Sequence, residues 1–328
     1  MKSTNLFLFT SVVFSLIFYG CGGGSKDSKI ILKLGHSANQ ENIWHQSVAY
    51  FAQQVDSLSK GQIEVRVFPS EQLGSEIDVL RSIDLGTVDM TITGESMQNW
   101  AQITSFCGMP YLIQDFDHLN TVIKSDIGDK IANEMVEKIK LRPLGYFARG
   151  PRHLTSNRPI KTPEDLNGLI VRVPSVPISV AAWEGLGAKP TPMAFSEVFT
   201  ALQSGTVEAQ ENPFALIKSA GFSEVQDYVN LTGHVIGWVY VVIGEKKFNS
   251  LTESQKQALI QAGQAMEAYH EERFLKQEEA LRIELEEKGM EMVEVDKPAF
   301  QKKASEAVVA NLPEELVPLY TEIQNMAQ

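Results

Sequence analysis

Residues 196–209, SEVFTALQSGTVEA, run from a short helix pattern with one apolar face, through a glycine, into a strand pattern. Glycine tolerates the left-handed backbone that ends many helices, so Gly205 marks the end of this helix. The same join, Gly-Thr-Val followed by an acid, recurs at residues 86–89, after a second helix pattern that starts near Ser75. Helices that alternate with strands are typical of an α/β fold. The repeated join suggests two lobes built from similar units.

The flanking sequence continues this alternation. Residues 29–36 and 62–68 carry strand patterns, and the helix pattern between them is apolar on one face. Residues 162–165, Thr-Pro-Glu-Asp, predict a helix start, because a hydroxyl N-cap, a proline at the first helical position and acids in the first turn all favour one. Further strands are predicted at residues 169–173 and 206–209.

One helix near the C-terminus is predicted to be unusually long. Thr252 and Gln255 form a capping-box pattern, and no proline follows before Gly289, which favours a stop. The apolar stripe moves from one face to another along this segment, so its two halves are expected to face different partners. We therefore predict a helix that spans both lobes.

The first twenty residues are predicted to be a signal peptide. Lys2 supplies the positive charge, and residues 6–19 form an apolar stretch shorter than the roughly 20 residues of a spanning helix. A small residue precedes Cys21 and a glycine-rich run follows it, so residues 21–29 are predicted to be a lipidated cysteine and a flexible tether. Ordinary secretory cleavage and an uncleaved anchor are the alternatives. Each of them places the folded part outside the cytoplasm.

Composition argues against several functional classes. The 328-residue chain has a net charge of −12, which disfavours nucleic acid as a partner. Cys107 lies in an apolar run and is predicted to be a buried, inert thiol. His36 and His45 have no third ligand in a recognised spacing, so no metal site is predicted. Nucleotide-binding and metalloprotease motifs are also missing from the sequence, and we predict no catalytic residue, no cofactor and no enzyme.

The arginines are unevenly placed against this acidic background. Residues 142–172 hold Arg142, Arg149, Arg152, Arg158 and Arg172. The chain therefore concentrates fixed positive charge in one stretch.

Two longer segments carry a family resemblance. They are residues 148–174, ARGPRHLTSNRPIKTPEDLNGLIVRVP, and residues 187–213, GAKPTPMAFSEVFTALQSGTVEAQENP. Together they resemble the substrate-binding proteins of tripartite ATP-independent periplasmic (TRAP) transporters, the DctP-like family, and the match continues through residues 68–90 and 228–238. The resemblance implies a two-lobed, type II-like periplasmic binding fold, with a hinge and a long helix across both lobes, that closes over an acid.

The chain is expected to divide between the two lobes in a discontinuous way. Lobe I is predicted to contain residues 30–149 plus about 238–275. Lobe II is predicted to contain residues 150–237 plus about 276–328. The hinge is expected where the chain crosses between these segments.

The resemblance assigns ligand contacts to four residues. Arg172 matches the arginine that pairs with the ligand carboxylate, and a guanidinium can do so through two parallel hydrogen bonds. Arg152 matches a second arginine of members that bind sugar acids, and Asn212 matches an amide that orients the same carboxylate. Phe195 matches an aromatic residue that lies against the carbon face of the ligand. Without the resemblance, Arg172 would be interpreted as an ion-paired arginine, Asn212 as a turn residue and Phe195 as a core residue.

Three further residues occupy loop positions that face the cleft in relatives: Glu95, His36 and His234. Each is equally compatible with an ordinary polar loop or cap residue, because loop lengths differ between subfamilies. They complete the predicted set of ligand contacts.

The resemblance implies an extracytoplasmic solute-binding protein of a TRAP transporter. The predicted ligand is a sugar acid such as a uronate or an aldonate, delivered to membrane permease subunits, and the alternative is a C4-dicarboxylate or another small carboxylate. A ligand sensor for a membrane receptor is the alternative of a different class, since one fold can serve both. The protein is predicted to be a monomer in the periplasm, held at the membrane by its lipid.

Overall fold

The computed structural model describes residues 29–327. The predicted signal peptide, the predicted lipidation site Cys21 and nearly all of the predicted tether lie outside the described residues. Within residues 29–327, no helix combines the length and the apolar character that crossing a membrane requires.

Strands and helices alternate along most of the chain. The strands are β1 Ile30–Gly35, β2 Ile63–Phe68, β3 Met90–Thr93, β4 Leu141–Ser156, β5 Ile170–Val173, β6 Lys189–Pro192, β7 Ala209–Asn212, β8 Tyr228–Gly244 and β9 Glu291–Val293. The helices are α1 Ile43–Leu58, α2 Glu76–Asp84, α3 Phe116–Ile123, α4 Asp126–Ile139, α5 Pro177–Gly185, α6 Val198–Gln203, α7 Phe214–Ser219, α8 Glu245–Asn249, α9 Glu253–Glu287, α10 Lys297–Asn311 and α11 Val317–Asn325.

All of these strands belong to one nine-stranded sheet. Near one end β2, β1 and β3 are parallel, and near the other end β7, β5 and β6 are parallel. The long strands β4 and β8 run antiparallel to each other between these groups, with β3 beside β8 and β7 beside β4. Strand β9 adds to β8 in parallel. The sheet therefore consists of two parallel groups joined by a pair of long strands.

The pairing of β4 with β8 is interrupted between the two groups. The register shifts between Arg149 and Arg152, across Gly150 and Pro151. Because Pro151 has no N–H to donate to the ladder, an irregularity is expected there. Such bulges redirect nearby side chains. Here both Arg149 and Arg152 line the same cleft.

The predicted long helix is present as α9. The Thr252 hydroxyl accepts from the Gln255 N–H and the Gln255 side chain accepts from the Thr252 N–H, so the capping box is complete. Leu259, in the first half of α9, belongs to a hydrophobic cluster with residues of β1 and β2. Leu281 and Leu285, in the second half, belong to a different cluster around α6. The predicted α/β fold, with a long helix that serves two core regions, is confirmed.

Two predicted elements differ from the structure. Where a helix was predicted to start, the chain forms only a 3₁₀ turn, Pro163–Leu166, because β5 begins soon after it. The strand predicted at residues 206–209 begins only at Ala209, as β7. The reason is that the N–H groups of Gly205 and Val207 are still bonded to carbonyls of α6.

The division into two lobes stays a prediction, and one contact bears on it. Helix α11, which the division places in lobe II, packs against α3 of predicted lobe I. There His118 Nε2 donates to the Ile323 carbonyl at 2.8 Å. Leu119 and Tyr320 belong to one hydrophobic cluster. The C-terminal helix therefore packs on the N-terminal part of the chain.

Candidate ligand-binding cleft

A cleft of about 420 Å³ is lined by residues from both parallel groups of strands. Its volume lies within the range of small-molecule sites, and the carboxyl ends of strands in α/β sheets are common positions for ligands. The first wall follows the ends of β1 and β3 and includes Ser37, Trp44, Glu76, Glu95, Ser96 and Arg149. The second wall comes from β4, β5, β7 and the segment after β6, and includes Arg152, Arg172, Met193, Phe195 and Asn212.

Arg172 projects from β5 as a buried cation of the second wall. Its Nε and Nη2 donate to the Met193 carbonyl, at 3.2 and 2.7 Å. Among residues 29–327 no carboxylate forms an ion pair with it. Burial lowers the pKa of Arg172 to about 10 against the opposing pull of Glu211, so the guanidinium remains charged at neutral pH. The Phe195 ring centroid lies 5.9 Å from Arg172 Cζ.

Arg152 lies beside Arg172 but is already paired. Its Nη2 donates to Glu211 Oε1 and to the Glu211 carbonyl, both at 2.7 Å, and its Nε donates to Glu211 Oε2. Glu211 also accepts from His234 Nε2 at 2.9 Å. Burial alone would raise the pKa of Glu211, but Arg152 and His234 lower it to about 2. The charge of Arg152 is therefore balanced inside the protein.

Asn212 ends β7 with its side chain buried in the second wall. Its Nδ2 donates to Gln210 Oε1 at 2.6 Å, and Gln210 Nε2 donates to Thr155 Oγ1 at 2.9 Å. This chain of hydrogen bonds fixes the amide and leaves its carbonyl oxygen without a protein donor among the described residues. Phe195 is half-buried and packs edge-on against Phe222, with ring centroids 5.9 Å apart.

The first wall holds a second buried ion pair. Arg149 Nη1 and Nη2 donate to the two carboxylate oxygens of Glu95, at 2.8 and 2.6 Å. Glu76 accepts from Thr93 Oγ1 at 2.7 Å. Burial, together with repulsion from Glu95, raises the pKa of Glu76 to about 7. This wall therefore offers carboxylate oxygens but no unpaired buried cation among the described residues.

The structure brings five of the seven predicted ligand contacts into one cleft: Arg172, Arg152, Asn212, Phe195 and Glu95. The remaining two do not line it. His36 lies with its Nε2 3.2 Å from His45 Nδ1, and burial, with His45 adding to the effect, lowers the pKa of His36 to about 3. His234 hydrogen-bonds to Glu211, which in turn pairs with the cleft residue Arg152.

Sequence reasoning missed Glu76 and Arg149, which line the cleft, and Glu211, which pairs with Arg152 without lining the cleft itself. Arg149 lies within the arginine-rich stretch, and Glu211 directly precedes Asn212. Neither position indicates which residue the side chain pairs with. Glu76 follows the Ser75 cap of α2 and resembles any acid in a first helical turn. With Arg149 and Arg152 balanced, Arg172 is left to attract one carboxylate into the cleft. Removing an ion from water is costly, so a buried cation of this kind favours an anionic ligand.

Known proteins share both the sequence and this fold. The family model for "Bacterial extracellular solute-binding protein, family 7" matches residues 34–315. A solute-binding protein of Roseobacter denitrificans is 49% identical, over 89% of this chain and 90% of its own length. A crystal structure of a TRAP periplasmic solute-binding protein from the same organism, with bound L-galactonate, has a TM-score of 0.89 and 48% identity, and covers 90% of this chain and 99% of its own.

A second crystal structure, of a TRAP periplasmic solute-binding protein from a Polaromonas species bound to D-erythronate, has a TM-score of 0.86 and 31% identity. It covers 90% of this chain and 98% of its own. The family resemblance predicted from residues 148–174 and 187–213 is therefore confirmed. The chain belongs to family 7 of the bacterial extracellular solute-binding proteins, the DctP-like family of TRAP transporters.

Proposed function

We propose that this protein binds a sugar acid in the cleft and delivers it to the permease subunits of a TRAP transporter. The observation that carries the proposal is Arg172, a buried guanidinium that faces the cleft without a carboxylate partner among the described residues. A ligand carboxylate would complete this site through charge-assisted hydrogen bonds.

The other contacts follow from the groups around Arg172. The free carbonyl oxygen of Asn212 can accept from a hydroxyl beside the ligand carboxylate. Phe195 offers an apolar face to the C–H groups of the ligand backbone. On the first wall, Glu76 and Ser96 can hydrogen-bond to hydroxyl groups farther along the ligand. An aldonate or a uronate presents all of these groups in one molecule.

The charge distribution favours a sugar acid over a C4-dicarboxylate. A second carboxylate would approach Glu76 and Glu95 on the first wall, and the nearby Arg149 is already paired. Arg81, at the exposed rim, also has an acidic partner, since its Nη1 lies 3.8 Å from Asp78 Oδ1. The two crystal structures with bound L-galactonate and D-erythronate support the same ligand class.

Isothermal titration calorimetry with a small panel of compounds tests the proposal. We expect saturable binding of L-galactonate or D-erythronate. Galactitol carries the hydroxyl groups without the carboxylate and should not bind measurably, and succinate should bind at least tenfold more weakly, a difference of about 1.4 kcal/mol. Preference for succinate over every sugar acid tested would contradict the proposed ligand class.

The cellular setting is part of the same proposal. Residues 1–20 would be removed as a signal peptide, Cys21 would carry lipid, and the binding protein would act as a periplasmic monomer with the two predicted lobes closing over the ligand. The family supports an extracytoplasmic location. Lipid anchoring rests on the sequence around Cys21, and light scattering of the purified protein would test the monomer.

A further inference from the structure

A second pocket lies between α3, the middle of β4 and α9. Its volume is about 310 Å³, at the lower end of the range for small-molecule sites. None of its lining residues lines the ligand cleft. The function proposed above does not use it.

Aromatic rings form much of its wall. Phe116 packs edge-on against Phe274, with ring centroids 5.2 Å apart. His270 stacks on Phe147 at 4.3 Å and on Phe274 at 5.4 Å. Tyr146 also lines the pocket. Phe147, His270 and Phe274 are buried and form the back of the wall, whereas the half-buried rings of Phe116 and Tyr146 can contact an occupant.

The histidine of this wall is uncharged at neutral pH. His270 Nε2 donates to the Ala148 carbonyl at 3.1 Å, and its Nδ1 lies 2.9 Å from Ser47 Oγ. Burial lowers the pKa of His270 to about 4. His270 therefore brings no positive charge to the pocket.

Carboxylates outnumber cations around the same pocket. Asp117, Glu267 and Glu271 line it, against the single cation Lys124. Glu267 is half-buried, and one of its oxygens accepts from the Tyr146 N–H at 2.9 Å. Burial raises the pKa of Glu267, and Glu271 adds to the rise, while the Tyr146 N–H and Lys124 oppose it. The nearby N–H and Lys124 therefore do not fully balance the negative charge of the Glu267 carboxylate.

We propose that this pocket is a second binding site, which takes a small organic cation with an apolar body. The aromatic faces would contact the cation and its apolar part, because the negative face of a ring attracts positive charge. The second oxygen of Glu267 would pair with the cationic head. An anion is disfavoured by the three carboxylates.

Calorimetry with benzyltrimethylammonium as the probe tests this site without any sugar acid. We expect saturable binding with a dissociation constant of about 1 mM or lower. Benzyl alcohol, a neutral compound with the same ring, and benzoate, an anion, should bind at least tenfold more weakly, a difference of about 1.4 kcal/mol. Equal binding of benzyl alcohol would overturn the assignment to a cation.

Two variants test whether the probe binds in this pocket. Glu267→Gln should weaken the probe at least fivefold, while its amide oxygen can still accept from the Tyr146 N–H. Ala268→Trp should fill the pocket from the exposed surface of α9 and abolish binding. Glu279→Gln, at an exposed position of α9 outside the pocket, is the matched control and should leave the probe's affinity unchanged.

Thermal unfolding of each variant establishes that it is folded before the titration. No detectable heat from the parent protein at about 10 mM probe would overturn the proposal, because such an affinity is too weak for a specific site. Unchanged affinity in both Glu267→Gln and Ala268→Trp would overturn it as well. None of these outcomes depends on whether the ligand cleft binds a sugar acid.

Discussion

The Arg172 guanidinium is held by the Met193 carbonyl and faces the cleft without an ion-pair partner among residues 29–327. We expect Arg172→Lys to weaken L-galactonate binding at least tenfold, because a compact ammonium cannot present two parallel N–H groups to a carboxylate. Arg172→Ala should reduce the free energy of ligand binding by about 2–5 kcal/mol. Calorimetry measures both, with Arg158→Lys, an exposed arginine outside the cleft, as the control. An Arg172→Lys affinity within about threefold of the parent would remove Arg172 from this role.

The residues of the cleft differ in how far sequence can predict them. Arg172 and Asn212 lie in contiguous motifs, so their position at the cleft could be predicted from the family resemblance. The Arg149–Glu95 pair could not be predicted, since its members are 54 residues apart and meet only when β3 and β4 both pair with β8. His36 and His234 were expected at the cleft from predicted loop positions, but His234 lies within strand β8, and the buried His36 side chain contacts His45.

Glu76 should make stability depend on pH. Its ordinary pKa of 4.5 is raised to about 7 in the folded protein, so between these values the folded state binds more protons than the unfolded state. Stability contributed by this group therefore falls as pH rises through that window. Glu76→Gln removes the ionised form, and its melting temperature should exceed that of the parent by more at about pH 8 than at about pH 5. Thermal unfolding at both pH values measures this, and an equal difference at the two would contradict it.

Among the elements, those with local start and stop signals were predictable. Helix α9 has its capping box and a following glycine, and its bounds match the prediction closely. Strands β4 and β8 were not predicted at their lengths of 16 and 17 residues. Pro143, Gly145, Gly150 and Pro151 interrupt any strand pattern in β4, and only pairing with neighbouring strands keeps it extended. Strand formation depends on such tertiary context more than helix formation does.

The bulge of β4 and helix α9 approach each other closely at Gly150. A Cβ added there would lie 2.6 Å from Glu278 Oε2, and Glu278 Oε1 has no hydrogen-bond partner. We expect Gly150→Ala to destabilise the protein by about 1 kcal/mol, because the Glu278 carboxyl group must move away from the added methyl group. Glu278→Ala should recover part of this loss in the double variant, as expected for residues in contact. Denaturant unfolding of the four proteins measures the coupling, and strict additivity would contradict the close contact.

At the scale of the whole molecule, the cleft walls contact each other in this structure. The Ser196 N–H donates to Glu71 Oε2 at 3.2 Å, and Asn99 Nδ2 donates to the Ser175 carbonyl at 3.1 Å. We expect the free protein to populate mainly a more open form in solution and the ligand to favour the closed one, as in hinge motions of binding proteins. Solution X-ray scattering should show a smaller radius of gyration with L-galactonate than with galactitol. An unchanged radius would argue against closure.

The predicted anchor sets where the molecule works. Cys21→Ser should release the protein from the membrane or leave an unprocessed precursor, because the lipid would be attached through the Cys21 thiol. Ligand affinity should be unaffected, because Cys21 lies far from the cleft residues in sequence. Fractionation and labelling with a fatty-acid analogue measure the effect. Equal labelling of the parent and the variant would favour ordinary secretion.

The position of Trp44 gives this protein a built-in optical probe. It lies at the edge of a hydrophobic core and lines the cleft with 9% of its surface exposed, whereas Trp183 and Trp238 are 2% and 0% exposed and do not line the cleft. Indole emission responds to the polarity around the ring, so replacement of water by ligand should shift the fluorescence of Trp44. Trp100, 41% exposed, adds a solvent-sensitive background signal, and Trp100→Phe would remove it. Capture and release of the ligand could then be followed by stopped-flow fluorescence without any attached dye.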